Sequence, residues 1–282
     1  MKKLVYILFF LSVYSCSFFD SSDEIPMYLE VEQVVFNTKI GEGSNSSNIT
    51  NISVFADGFN IGVFPYPSKI PILDLDKNGK IELDIFAGVR NNGQGSNQIA
   101  YPFYKPLKFN LDFEENLVLP MDLEFEYMEN IDFIYNDDFE NNLMFDHSGS
   151  ETITDFIKSG DAIYGDFCGL IETTEDESIF EEESSFRRTK EDIENSVVYL
   201  ELDYKNTIPF QIGFISYAGN LGIRNYKLAI TESLEWNKVY IELTQELNVE
   251  DYDQFAILIG STSVNDIGKI WIDNVKLLRL TP

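Results

Sequence analysis

The sequence predicts an all-β protein built from two sandwiches in series. Strand-length runs alternate apolar and polar residues at period two, as in residues 198–204. Turn pairs such as Asp57-Gly58 separate these runs at intervals of about eight to twelve residues, and no amphipathic helical stretch interrupts the first of the two series. This pattern predicts an immunoglobulin-like β-sandwich over residues 27–126 and a jelly-roll β-sandwich over residues 127–282.

The stretch LDLDKNGKIELDI, residues 73–85, has the beginning of a calcium-binding loop but not its end. Asp74 starts the D-x-D-x-N-G spacing with which such loops surround a calcium ion. The final ligand position needs a bidentate carboxylate, but it holds Ile85, and no helix pattern flanks the stretch. Asn78-Gly79 is a favoured pair at the centre of a tight turn. We therefore predict a β-hairpin here, with a weak calcium site as the alternative.

Alternation within the second unit predicts which side chains of a strand face its core. In residues 198–204, Val198, Leu200 and Leu202 share one face, as expected for a half-buried strand. Glu201 and Asp203 point the other way, and we expect them on a solvated face.

The last strand, residues 269–280, changes the parity of its apolar positions part-way along. Ile270 and Ile272 precede the change, and the apolar residues that follow need the same face. A one-residue bulge near Asp273-Asn274 restores the alternation and leaves Trp271 pointing outward.

The charge of the chain limits its partners. The formal net charge is −28, which repels nucleic acid and anionic lipid headgroups. Acidic residues are concentrated in residues 172–194, which we interpret as a solvated loop or, as the alternative, a docking surface for a basic partner.

The N-terminus resembles the signal of bacterial lipoproteins. Two lysines precede an apolar run that is too short to span a bilayer, which needs about 20 apolar residues. The run ends in Val-Tyr-Ser-Cys16, which resembles a lipobox. The resemblance implies a signal peptide over residues 1–15, acylation of Cys16 and a lipidated tether over residues 16–26; an ordinary signal peptide is the alternative. Acyl chains then make the lipid membrane a partner of the chain.

Catalytic residues are sparse. His147 is the single histidine, so a Ser/His/Asp triad would depend on it. Glu124, Glu126 and Glu129 distantly resemble the catalytic strand of some sandwich glycosidases, although the middle position would be Asp in that family. We predict a protein that is not an enzyme, with a carboxylate-pair glycosidase as the less favoured reading.

Aromatic side chains provide the candidate ligand-binding surface. Trp271 and Tyr217 are expected to face outward, Trp236 opens a strand, and Tyr101 and Tyr104 belong to a stiff aromatic segment with two prolines. Flat rings of this kind stack on the apolar faces of sugars. Packing in the core or at a sheet edge is the alternative for each ring.

The mature chain resembles two-domain lipoproteins of unassigned function found in Bacteroidota-type bacteria. In the first unit the resemblance rests on segments 54–62, 87–93 and 101–104, and the Asp-Gly turn resembles PEGA-type β-domains. In the second unit it rests on segments 198–204, 235–241 and 270–277, which resemble galactose-binding-like sandwiches.

Jelly rolls that resemble carbohydrate-binding modules often place a structural calcium ion between acids of the first and last strands. Asp137, Glu140 and Asp273 would be its ligands here, with surface carboxylates as the alternative. We predict no other cofactor.

These observations lead to three hypotheses of function. The first is a membrane-anchored cell-envelope lipoprotein, on the periplasmic or surface face of the outer membrane, that binds glycan or another envelope component without catalysis. The second is a structural or interaction subunit of an envelope protein complex. The third is the glycosidase.

Overall fold

A computed structural model describes residues 24–141, 143–147, 154, 156–193, 195–249, 251–262 and 267–281. It is built almost entirely of β-strands in several sheets, so the all-β prediction is confirmed. Cys16 and the predicted leader lie outside the described residues. Among the residues that are described, no helix has the length and apolar character needed to cross a membrane.

The N-terminal unit consists of two sheets packed face to face. Its strands in chain order are β1 (Met27–Asn37), β2 (Asn51–Ala56), β3 (Phe59–Phe64), β4 (Ser68–Ile72), β5 (Lys80–Arg90), β6 (Gln98–Ala100), β7 (Leu107–Asp112) and β8 (Val118–Glu126). One sheet has the order β4-β1-β8, and the other has the order β3-β2-β5-β6 with β7 also paired to β5. Leu29, Val54, Leu83 and Phe125 are buried in the core between them. The immunoglobulin-like topology of this unit stays a prediction.

The C-terminal unit is a sandwich of two six-stranded sheets. Its strands are β9 (Ile131–Asp137), β10 (Phe145–His147), β11 (Phe156–Ser159), β12 (Cys168–Glu172), β13 (Glu181–Ser184), β14 (Arg188–Thr189), β15 (Val198–Asn206), β16 (Phe210–Ala218), β17 (Leu221–Ile230), β18 (Ser233–Glu242), β19 (Gln254–Ser261) and β20 (Lys269–Leu280). A 3-10 turn spans Lys190–Asp192, and helix α1 spans Thr244–Val249. The front sheet has the order β10-β13-β19-β16-β17, with β14 on β19; the back sheet has the order β11-β12-β20-β15-β18, with β9 on β20.

The core of the C-terminal unit follows the alternation read from the sequence. Val198, Leu200 and Leu202 of β15 are buried in it, together with Phe214 and Ile272. Burying each such side chain contributes about 1.5–3 kcal/mol relative to leaving it exposed. Cys168 is also fully buried, and burial raises the pKa of its thiol to about 12.

The bulge predicted in the last strand is present. Glu201 of β15 pairs with Lys276, and Asp203 pairs with Asp273, so Asn274 and Val275 together oppose a single residue of β15. Asn274 adopts a φ of 48°, as bulge residues often do.

The two units share an extensive interface on the outer side of the back sheet. Tyr199, Tyr240 and Leu278 of the back sheet pack into the core of the N-terminal unit. The expectation that Glu201 and Asp203 face solvent was wrong, because the N-terminal unit covers this side and leaves both at 0% exposure. Alternation along β15 identified the two faces correctly but could not show that the second face also has a partner.

The predicted hairpin at residues 73–85 was also wrong, although strands flank the turn as expected. β4 pairs with β1 and β5 pairs with β2, so the turn connects the two sheets and does not join two neighbouring strands. The Asp74 carboxylate accepts the N–H groups of Asn78 (3.2 Å) and Gly79 (2.7 Å), so the acid stabilises the turn.

The acidic run of residues 172–194 is not simply a solvated loop. It contains β13, which pairs with β10 on one side and β19 on the other. Glu182 is almost fully buried, while Glu181 and Glu183 lie on the opposite face of the strand.

Candidate functional site

The outer side of the front sheet carries a group of aromatic and charged side chains, which we call the tyrosine face. It consists of Tyr217 of β16, Tyr226 and Arg224 of β17, Glu181 and Glu183 of β13, and Arg187 just before β14. The floor of this group is apolar: Ile215, Ala256 and Leu258 are buried, and the two tyrosines pack against them.

Glycines on the strands let the two rings lie close to the sheet. A Cβ atom at Gly260 would lie 2.1 Å from the Tyr226 hydroxyl oxygen, which is too close for any real contact. A Cβ atom at Gly222 would lie 3.0 Å from the Tyr217 ring. The sequence therefore places the smallest residue where the Tyr217 ring crosses the neighbouring strand β17, and where the Tyr226 hydroxyl reaches β19, two strands away.

Glu181 fixes the first half of the tyrosine face. It accepts the Tyr226 hydroxyl at 2.8 Å and the Arg224 Nε at 2.7 and 2.8 Å. Burial, together with the carboxylate of Glu181, raises the pKa of Tyr226, so its hydroxyl remains a donor.

Glu183 fixes the second half in the same way. It accepts the hydroxyl of Tyr217 and, at 3.0 Å, the guanidinium of Arg187. The centre of the Arg187 guanidinium lies 3.6 Å from the centre of the Tyr217 ring, so the cation covers that ring. Burial and Glu183 raise the pKa of Tyr217 to about 12.

The tyrosine face can present both apolar and hydrogen-bonding groups to one ligand. Its arginine side chains remain 41–46% exposed, whereas its carboxylates are only 13–16% exposed. Sequence reasoning identified Tyr217 alone. Glu181 and Glu183 are two positions apart, so they share one face of a strand. The other members could have been found if this run had been interpreted as a strand.

Trp236 and Trp271 lie on the back sheet, whereas the tyrosine face lies on the front sheet. Trp271 is on β20 and Trp236 is on β18, and both are half-buried. The ammonium group of Lys205 lies 4.5 Å from the centre of the Trp271 ring and 5.5 Å from that of Trp236. The structure therefore brings the two tryptophans together but separates them from Tyr217.

Tyr101 and Tyr104 do not contribute to an outward surface. Both are only 3% exposed and lie at the interface between the two units. The Tyr101 hydroxyl donates to Glu201 at 2.8 Å, and the Tyr104 hydroxyl is hydrogen-bonded to that of Tyr240 at 3.0 Å. Placing them on an outward ligand surface conflicts with this burial, because the segment that carries them packs against the back sheet.

Buried charges accompany these tyrosines. Glu201 forms an ion pair with Lys238 at 3.0 Å and accepts the Tyr127 hydroxyl at 2.9 Å. Burial by itself raises the pKa of Glu201, but the ammonium groups of Lys238 and Lys276 outweigh it, so that this pKa is lowered. The interface therefore retains an ionised pair away from water.

The three proposed calcium ligands have other partners. Asp137 accepts the Tyr135 hydroxyl and the Phe139 N–H. It also lines a cavity of about 370 Å³. Asp273 accepts the N–H of Asn274 at 2.8 Å. Across the part of the chain that is described, no group of three His, Cys, Asp or Glu side chains could hold a metal ion.

Glu140 has a different role from the one expected. Its carboxylate accepts the N–H groups of Asp166 (2.8 Å) and Phe167 (2.9 Å). Asp273 accepts the N–H of Tyr164 at 3.5 Å. The two acids thus hold one loop, residues 160–167, which we call the aromatic loop.

The residues considered for catalysis do not form a site with the tyrosine face. Glu124 and Glu126 lie on the outward side of β8 in the N-terminal unit, and Glu129 is in the turn before β9. His147 ends β10.

No family model and no curated protein matched the sequence. The solved structures to which the chain is similar include carbohydrate-binding modules. The family 22 xylan-binding domain of Paenibacillus barcinonensis Xyn10C is 15% identical, with a TM-score of 0.40, and the alignment covers 55% of this chain and 99% of that one. The C-terminal family 22 module of Clostridium thermocellum Xyn10B is 12% identical, with a TM-score of 0.37 over 51% and 92%. A family 30 module of a C. thermocellum cellulosomal cellulase is 16% identical, with a TM-score of 0.36 over 47% and 88%.

Proposed function

We propose that this chain is a cell-envelope lipoprotein whose C-terminal unit binds glycan through the tyrosine face and catalyses no reaction. The observation that carries this proposal is the pair of half-buried tyrosines seated on glycines, each flanked by an arginine and a glutamate. A sugar chain offers apolar C–H faces and many hydroxyl groups. The ring of Tyr226 suits the C–H faces, whereas guanidinium and carboxylate groups donate to and accept from hydroxyls.

The pairing within the tyrosine face favours recognition over catalysis. Each carboxylate already accepts a tyrosine hydroxyl and a guanidinium, which holds it in one orientation. Side chains held in this way lose little conformational entropy when a ligand binds, and this preorganisation increases affinity.

Affinity measurements on the full chain, purified in detergent, test the proposal. Titration calorimetry with xylohexaose, cellohexaose and mannohexaose is expected to show binding to at least one of them. Tyr226→Ala should weaken that binding by about tenfold or more, because it removes a ring and a hydroxyl together. Tyr28→Ala, which removes a half-buried tyrosine of β1 in the N-terminal unit, is the matched control and should leave it unchanged.

Binding that is equal in Tyr226→Ala and in the unsubstituted chain would place any glycan site elsewhere. Absence of heat with all three oligosaccharides would count against glycan binding by this face.

One observation favours the second hypothesis, a subunit of an envelope complex. Strand β17 ends the order of the front sheet and exposes Leu221 at 65% and Ile223 at 51%. An edge strand with exposed apolar side chains suits the addition of a strand from another protein. Affinity capture from membranes should then return one partner in stoichiometric amount, and Ile223→Lys should abolish its capture.

A further inference from the structure

Three adjacent strands of the back sheet place two tryptophans on either side of a lysine. Lys205 of β15 pairs with Trp271 of β20, and β18 on the opposite side of β15 carries Trp236. Because neighbouring strands are about 4.8 Å apart, residues on the two outer strands are separated by about 10 Å. We call Trp236, Lys205, Trp271 and Asp161 the tryptophan site, and we propose that it is a second saccharide-binding site that takes an uncharged sugar chain.

The site lies where the cover provided by the N-terminal unit ends. Glu201 and Asp203 share the outer face of β15 with Lys205 and are fully buried by that unit. The Lys205 side chain is 16% exposed and that of its partner Asp161 is 56% exposed. The face of the back sheet is therefore open at this end.

The aromatic loop, which supplies Asp161 to the tryptophan site, carries two further exposed rings. Tyr164 is 41% exposed and Phe167 is 39% exposed. A Cβ atom at Gly165 would lie 2.2 Å from the Glu140 carboxylate, and Gly165 has a φ of +73°, so the loop requires glycine there. Glu140 and Asp273 anchor this loop, and its Asp161 pairs with Lys205 of the tryptophan site.

The N-terminal unit also contacts the strand that carries Trp236. Asn48 donates to the Asn237 side chain at 2.8 Å, and Asn237 donates to the Tyr204 hydroxyl at 3.1 Å. Asn237 directly follows Trp236, so a residue of the first unit holds the side chain next in sequence to one of the two rings.

The electrostatics of the site indicate an uncharged ligand. The charge of Lys205 is balanced by Asp161, with which it forms an ion pair. The chain as a whole carries a net charge of −28, which disfavours the approach of an anionic polysaccharide. Two indole rings with a paired ammonium and carboxylate at their edge suit apolar sugar faces and neutral hydroxyls.

The tryptophan site is independent of the tyrosine face, because the two are on different sheets of the sandwich. The inference goes beyond the proposed function and would stand if the tyrosine face bound nothing. The sequence contains only two tryptophans, and both are in this site, so tryptophan emission reports on it alone.

Tryptophan fluorescence of the full chain in detergent tests the inference. Xylohexaose, cellohexaose and mannohexaose are titrated separately, with an oligogalacturonate of the same length as the charged comparison. At least one neutral oligosaccharide should shift the emission, and Trp271→Ala should weaken its apparent affinity by about tenfold or more. Tyr226→Ala, in the tyrosine face, should leave the shift unchanged.

Each other outcome would overturn the inference. Emission that none of the neutral oligosaccharides changes would show that the site takes no such chain. A shift with the oligogalacturonate alone would contradict the charge argument, and loss of the shift in Tyr226→Ala would show that the signal comes from the other sheet. If Trp271→Ala does not fold, Trp271→Phe keeps the packing and should reduce the shift while retaining binding.

Discussion

Single glycines decide where several functional side chains lie. Gly260 leaves room for the Tyr226 hydroxyl, and Gly165 leaves room for the Glu140 carboxylate. In both cases the missing Cβ is the reason that a polar group can approach the backbone. Neither glycine can be recognised as special from the sequence alone, because the partner side chain is 34 residues away in the first pair and 25 in the second.

Gly260→Ala is expected to displace Tyr226 and weaken glycan binding at the tyrosine face. The added methyl group would overlap the hydroxyl, and overpacking of this kind costs about 1–3 kcal/mol of folding free energy. Gly95→Ala is the control, because no atom lies within 4 Å of the position its Cβ would occupy. Equal thermal stability and equal glycan affinity in the two variants would contradict the proposed packing of Tyr226 against Gly260.

Glu201→Gln is expected to destabilise the protein by about 3–5 kcal/mol, because it leaves the charge of Lys238 buried without its counterion. The control is Asp84→Asn, which breaks the exposed Lys108–Asp84 pair and should change stability by about 0–1 kcal/mol. Urea unfolding of both variants measures the difference. A loss below about 1 kcal/mol for Glu201→Gln would argue that the ion pair contributes little.

At the scale of elements, alternation predicts strands well and their partners poorly. The strand of residues 198–204 and the bulge in β20 follow from period-two patterns and were predicted. The turn after β4 was misassigned because the local sequence does not specify whether two successive strands share a sheet. The tyrosine face was largely missed because β13 reaches the hairpin of β16 and β17 only through β19, by pairing at long range.

The burial of Asp273, the β20 residue that anchors the aromatic loop, predicts a dependence of stability on pH. Burial raises the pKa of Asp273 from 3.8 to about 7. Between these two values the folded state binds a proton that the unfolded state has lost, so the contribution of Asp273 to stability falls as the pH rises from about 4 to about 7. Asp273→Asn, which cannot ionise, should therefore gain stability relative to the unsubstituted protein between pH 4 and pH 8.

Urea unfolding at pH 5 and pH 8 measures that difference. The comparison is between variants because Lys276, whose pKa is lowered to about 8 chiefly by burial, contributes a change of its own above pH 8. If the free energies of unfolding of Asp273→Asn and of the unsubstituted protein differ by the same amount at pH 5 and at pH 8, the predicted effect of Asp273 ionisation on stability is contradicted.

At the scale of the whole molecule, the two units are expected to unfold together. Tyr199, Tyr240 and Leu278 of the back sheet belong to the core of the N-terminal unit, and the buried carboxylate of Glu201 accepts the hydroxyl of Tyr101 across the interface. Separating the units would expose these rings and charges at the same time. Calorimetry should give one transition with equal calorimetric and van't Hoff enthalpies, and two resolved transitions would contradict this coupling.

Attachment to the membrane is a prediction for the whole chain. Cys16→Ala should move the protein from the membrane fraction to the soluble fraction, because it removes the thiol that the predicted acyl chains require. Immunoblotting after cell fractionation measures the change. Retention of Cys16→Ala in the membrane fraction would require another means of attachment.

Residues 43–48 of the first unit cover part of the back sheet. The C-terminal unit therefore cannot be transferred to another protein as a self-contained domain without losing this cover. The Ser44 carbonyl accepts the Lys276 ammonium at 2.9 Å, and the Ser46 hydroxyl donates to Asp203. A graft of the jelly roll onto another scaffold would leave these two charges facing water or an unmatched surface. Domain shuffling of this architecture, in evolution or in engineering, must therefore carry this short segment of the first unit with the second, or replace the charges that it covers.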